Sequence, residues 1–115
     1  MSERNLKLLL KDISDAINHI QLFTTGLSFE VYSTDLKTKH AVCHNFTIIG
    51  EAASKFPKEF RDQYQQVAWQ SLKDFRNFIV HEYFGLDDTI VWEIIQNDLP
   101  ELLPEIGKLL DTDHL

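Results

Sequence analysis

The sequence predicts an all-α fold: four to five antiparallel helices around one core. Three observations point to it. Apolar residues recur at the i, i+3, i+4 spacing along nearly the whole chain. Four glycines and three prolines in 115 residues leave little room for the frequent turns of an all-β protein. No apolar run exceeds three residues, Leu8 to Leu10 being typical, so every apolar stretch is short enough to form one face of an amphipathic helix. The length fits a single domain over residues 1–115. With 43% hydrophobic and 25% charged residues, the chain has the composition of a globule and not of a disordered tail.

The elements follow in order. Leu6, Leu9, Leu10, Ile13, Ile17, Ile20 and Phe23 share one face, with Lys7, Lys11, Asp12 and Asp15 on the other. This predicts a first helix from about Arg4 to Thr25, closed by Gly26 just beyond it. Residues 27–33 are β-branched and aromatic without a helical repeat and read as a connection. Ser33 or Thr34 can cap the next helix, and Asp35 suits its positive end. Val42, Phe46, Ile49, Ala53 and Phe56 mark that helix's face, and Pro57 stops it. Lys58 to Gln66 reads as a short helix or turn. A third long helix is expected from about Val67 to Phe84, ending at Gly85. Asp87 or Asp88 caps a fourth, carrying Ile90, Val91, Ile94, Ile95 and Leu99. Pro100 and Pro104 are expected to bend or break it, each lacking an amide donor. Leu102, Leu103, Ile106, Leu109 and Leu110 continue its apolar face.

Eighteen acids against eleven bases leave a net charge of −7. That balance excludes a broadly basic nucleic-acid platform and a surface for anionic membranes, but not nucleic acid held at one local site. One cysteine, Cys43, excludes an internal disulfide framework and a cysteine-rich zinc site. The short apolar runs exclude a membrane-spanning helix. The start, Met1-Ser2-Glu3-Arg4, has no signal-peptide core, so the expected location is the cytoplasm.

The third helix carries the most chemistry. At about 100° per residue, Leu72, Phe75, Phe78 and Ile79 fall on one side. Asn77 and His81 lie within about 40° of each other, and Arg76 and Tyr83 within about 20°. The four polar groups share an arc of roughly 160°, with Val80 inside it. An apolar residue in that position fits a contact surface better than a solvated one. Such a set suits phosphodiester cleavage in RNA. A neutral histidine takes the proton of a 2′-hydroxyl, and an arginine holds a non-bridging phosphate oxygen and the charge that builds on phosphorus. Asn77 can orient either partner. The reaction needs no metal and no other cofactor. One copy supplies one arginine and one histidine, so a full acid–base pair favours a symmetric homodimer with the arc at its interface. The plain alternative is a salt-bridged, solvated helix face.

Arg76-Asn77-Phe78-Ile79-Val80-His81-Glu82-Tyr83 resembles the R-x4-H-x-Y signature of HepT-like toxins, in the HEPN ribonuclease superfamily. Ile48-Ile49-Gly50-Glu51-Ala52-Ala53 resembles that family's stretch on the second helix. Trp69 matches its usual tryptophan, and Val91-Trp92 and Leu99-Pro100-Glu101-Leu102 resemble its C-terminal pattern. Val67-Ala68 departs from the Ile-Pro pair common there, which touches a helix start and not the chemistry. The resemblance implies a HEPN bundle acting as a homodimer, with a composite, metal-independent RNase site in the dimer cleft. Arg76 and His81 carry over as catalytic residues and Asn77 as the supporting polar position. The implied partner is a nucleotidyltransferase antitoxin of the MntA type, which transfers AMP from ATP to the motif tyrosine, here Tyr83. Tyr83 lies one heptad beyond Arg76, so AMP there would set phosphate charge beside that arginine and fill the cleft. A rival reading is a non-catalytic substrate-binding partner of a minimal nucleotidyltransferase, with the same arginine and tyrosine binding a nucleotide.

Other groups were weighed beside these. His40 and His44, four apart with Thr47 and Glu51 continuing the stripe, have the spacing of zinc ligands, but a polar helix face near the cleft accounts for them as well. Cys43 reads as a small core residue. His19 and His114 show no partner in the sequence. Asp98, Glu101, Glu105, Asp111 and Asp113 make the C-terminal part acidic, either as a solvated face or as a docking surface for a basic patch on the antitoxin.

Overall fold

In a computed structural model, residues 1–81 and 87–112 are described, with the side chains of 77–81 outside the described set. The described residues form an all-α bundle. Its helices are α1 (Glu3–Thr24), α2 (Phe29–Thr34), α3 (Leu36–Ser54), α4 (Lys58–Gln63), α5 (Trp69–His81), α6 (Asp88–Glu93) and α7 (Leu99–Leu110), with a π-helical turn at Ile94–Asp98 joining the last two. Helix α3 is the centre: α1 packs along one side of it and α5 along another, and α7 closes against α1. No helix among the described residues is long and apolar enough to cross a membrane.

Helix α1 is the amphipathic helix its spacing predicts. Ser2 caps it by accepting from the Asn5 amide at 3.1 Å. Leu6, Leu10, Ile13, Ile17 and Ile20 are buried. Gly26 follows with φ of +81°, a left-handed conformation that glycine adopts without a Cβ penalty. Val42, Phe46, Ile49 and Ala53 of α3 meet this stripe, and Leu72, Val91, Ile95, Leu99, Ile106 and Leu109 complete the core.

Four details differ from the sequence expectations. Residues 27–33 are not a plain connection: Ser28 accepts from the Val31 amide at 3.2 Å and starts α2. Asp35, not Ser33 or Thr34, caps α3, taking the Thr38 amide at 3.1 Å and its hydroxyl at 2.7 Å. These bonds hold the Asp35 carboxyl below its ordinary range. The Ser33 and Thr34 hydroxyls instead turn back to the Glu30 carbonyl. Helix α3 ends at Ser54, ahead of Pro57, which precedes the first turn of α4. Finally, Pro104 lies inside α7 without breaking it. The carbonyl it leaves without that amide belongs to Pro100, and both prolines lie at the exposed surface. The irregularity falls earlier and is no break: Pro100 has no N–H for the carbonyl of Gln96, and the chain passes through a π-helical turn at Ile94–Asp98 just before it. Asp87 caps α6, accepting from the Thr89 amide at 2.9 Å. The expected helix end at Phe84 and Gly85 lies outside the described residues.

Tyr32 anchors α2. It is fully buried, 5.1 Å from Trp92 between ring centroids, and its hydroxyl has no hydrogen-bond partner among the described residues. Burial raises its pKa well above that of a free phenol. Tyr32→Phe removes an unsatisfied buried hydroxyl and is expected to stabilise the fold by about 1 kcal/mol. The pH dependence has a definite sign. Above about pH 10 the unfolded chain loses the phenolic proton while the folded chain keeps it, so stability falls as pH rises. Thermal melts from pH 8 to 11 should show the gain from Tyr32→Phe growing above pH 10; a gain flat across that range would contradict the assignment.

Candidate active site

The start of α5 is fixed by an aromatic cluster. Trp69 packs 4.8 Å from Phe56 and 5.8 Å from Phe60, and its indole Nε1 donates to the Tyr64 carbonyl at 3.0 Å. Phe60 also stacks on Phe56 at 5.1 Å. At the departure noted above, Val67 is buried and Ala68 exposed immediately before the helix. The Ala68 carbonyl accepts from Leu72 at 3.1 Å. Leu72 then enters the core, and Phe75 sets its edge on Phe46 of α3 at 5.4 Å. Leu72 and Phe75 thus face the core as the periodicity predicts, and the side chains of Phe78 and Ile79 lie outside the described residues.

One residue further on, the two helices come into near backbone contact. A Cβ built on Gly50 of α3 would collide with the Arg76 Cβ and lie 2.9 Å from the Arg76 amide nitrogen. Only a residue without a side chain permits this approach. It brings the next residue, Glu51, against the arginine: Glu51 Oε1 lies 2.6 Å from Arg76 Nε. Both side chains are a little over two-fifths exposed, 44% and 43%. Arg76 therefore stands at the surface with its Nε paired to Glu51, and among the described residues no hydrogen bond or ion pair engages its terminal nitrogens. Lys73, one turn earlier, is partly buried.

The other predicted site residues divide into groups. The backbones of Asn77 and His81 belong to α5, and their side chains lie outside the described residues. So does the whole of Tyr83. His44 is exposed at the surface of α3. Among the described residues no three His, Cys, Asp or Glu are grouped so that they could hold a metal ion. Cys43 is buried, and burial raises its thiol pKa. His19 does have a partner: its Nδ1 lies 3.3 Å from Oδ1 of the buried Asn45, and its ring stacks on Phe23. Asp98, Glu101 and Glu105 line one wall of a groove of about 470 Å³, with Gln66, Ser71 and Phe75 opposite.

Glu51 was legible as part of a polar stripe and of the family-like stretch Ile48 to Ala53, with no role of its own. The available signal was Gly50 beside it, since a mid-helix glycine weakens the helix and often marks a close approach of another backbone.

The model of the ribonuclease HepT-like family matches residues 13–109. The chain belongs to that family. A protein of Thermococcus cleftensis, named as a probable ribonuclease HepT, is 35% identical over 93% of this chain and 97% of its own. A candidate RNase of Methanocaldococcus jannaschii is 32% identical over 96% of this chain and 91% of its own. A candidate RNase of Caldanaerobacter subterraneus is 36% identical over 76% of this chain and 79% of its own. No solved structure matches significantly. The all-α bundle and the family agree, and the HepT-like chain is by that membership a ribonuclease.

Proposed function

We propose that this HepT-like chain is the toxin of a toxin–antitoxin pair, a metal-independent endoribonuclease acting on cellular RNA. Two copies form a homodimer, and the site is composite. The imidazole of His81 accepts the proton of a ribose 2′-hydroxyl, and the freed oxygen attacks phosphorus. The 5′-oxygen leaves, taking a proton from the second His81. The products are a 2′,3′-cyclic phosphate and a 5′-hydroxyl end. Arg76 from each copy stabilises the charge on the phosphoryl oxygens, and Asn77 orients the imidazole or the phosphate. The chain functions in the cytoplasm, where its substrate is.

The observation that carries this reading is the state of Arg76 in a ribonuclease family chain. The arginine of the R-x4-H-x-Y motif is half-exposed on α5 and paired through Nε with one carboxylate, and among the described residues no other partner engages it. A net charge of −7 makes general RNA affinity weak, so binding concentrates where two copies of Arg76 and Lys73 meet.

Control falls to an MntA-like nucleotidyltransferase. The Tyr83 hydroxyl attacks the α-phosphorus of ATP, pyrophosphate leaves, and the hydroxyl proton passes to solvent. The acidic groove along Asp98, Glu101 and Glu105 is the face offered to a basic surface of that partner.

One experiment with two arms tests the proposal. Purified chain should cut single-stranded RNA in excess chelator, and expression without the antitoxin should stop bacterial growth. After incubation with the antitoxin and ATP, the wild type should lose cleavage and Tyr83→Phe should retain it. A folded, non-toxic chain that binds nucleotide without cutting RNA would favour the binding-partner reading instead.

A further inference from the structure

We infer that Glu51 is a positioning residue for Arg76, and that Gly50 exists to bring it within reach. This rests on the cleavage reading above and adds a residue to it. A carboxylate beside a phosphate-binding arginine is at first sight a disadvantage, because it cancels charge where the net balance is already acidic. Nor is stability its explanation, since ion pairs this exposed contribute little to folding. Geometry offers a better account. Arginine is a long side chain with many rotamers, and on an open helix surface its guanidinium points in many directions. Glu51 Oε1 pairs with Arg76 Nε at 2.6 Å. That leaves the Nη groups, the pair of donors that matches two oxygens of a phosphate, without a partner among the described residues and oriented by the pairing at Nε. The carboxylate itself is anchored on the far helix beside Gly50, where the backbone of α3 approaches that of α5 closely. The order of the two residues therefore matters: Gly50 sets the distance and Glu51, next in the chain, uses it.

This assigns opposite effects on binding and on turnover. With Glu51 in place, Arg76 binds phosphate less strongly but in the productive orientation. Glu51→Ala should therefore lower kcat by about 10- to 100-fold while KM stays level or falls. Glu51→Gln keeps an oxygen acceptor for Nε and should recover most of kcat. A purely structural role would lower the melting temperature without this split and without rescue by glutamine.

The test is steady-state cleavage of a defined RNA oligonucleotide by the full chain, comparing wild type, Glu51→Ala, Glu51→Gln and Arg76→Ala. The expected result is a loss in kcat for Glu51→Ala with KM unraised, and substantial recovery in Glu51→Gln. An inactive Arg76→Ala beside a Glu51→Ala enzyme with unchanged or raised kcat would overturn the positioning role alone. If Arg76→Ala cuts as fast as the wild type, it is the cleavage reading that fails.

Discussion

Replacing Gly50 with alanine should lower the melting temperature by roughly 4–12 °C and reduce RNA cleavage by about 100-fold. The reason is steric. The new methyl would strike the Arg76 Cβ and press on its backbone, with the amide nitrogen at 2.9 Å and Cα at 3.0 Å. None of those atoms can turn aside as a side-chain tip would. The helices must separate by an ångström or so to restore contact near 3.5–4.0 Å. That movement loosens the packing around Phe46 and Phe75, an overpacking cost of about 1–3 kcal/mol. It also carries Glu51 away from Nε, so activity should fall further than stability explains. The control is Gly107→Ala in α7, where an added Cβ meets nothing within 4 Å; it should raise stability by about 0.5–1 kcal/mol. Circular-dichroism melts and cleavage assays on both variants check this. A Gly50→Ala protein melting with the wild type would show that α3 and α5 do not approach as described.

The long helices were readable because each buries a stripe that repeats over several turns. Leu6 through Ile20 and Val42 through Ala53 leave little choice of face. Helix α2 escaped because six residues cannot display a 3.6-residue period, and its fold depends on one side-chain cap and one buried ring, Ser28 and Tyr32. The outcome at Pro104 turned on solvent access to a carbonyl, which periodicity does not report. At the site, the order of Arg76, Asn77 and His81 along one helix was legible because all three lie on a single element. The Glu51–Arg76 pair joins residues on different helices, and only the depth at which Gly50 lets those helices meet determines it. The roles proposed for His81 and Tyr83 come from motif spacing and family resemblance, and the cleavage and antitoxin experiments test them.

Arg76→Ala and His81→Ala should each reduce cleavage by at least 100- to 1,000-fold and abolish toxicity, with helical content and melting little changed. Arg76 is half-exposed, and an alanine there keeps good helix propensity, so loss of activity would reflect chemistry and not unfolding. Arg76→Lys should not restore it, because a single ammonium cannot hold Glu51 through Nε and a phosphate through two further donors at once. The proposed homodimer makes a sharper demand. If one imidazole removes the 2′-hydroxyl proton and its symmetry mate protonates the leaving oxygen, a dimer with one His81→Ala chain is inactive. At constant total chain, a one-to-one mixture of wild type and His81→Ala, with subunits allowed to exchange, should then show about a quarter of the all-wild-type activity, the square of the wild-type fraction. Independent sites would leave about half. Activity that tracks the wild-type fraction linearly would confine the chemistry to one chain, and the second proton donor would then have to come from elsewhere on the same bundle.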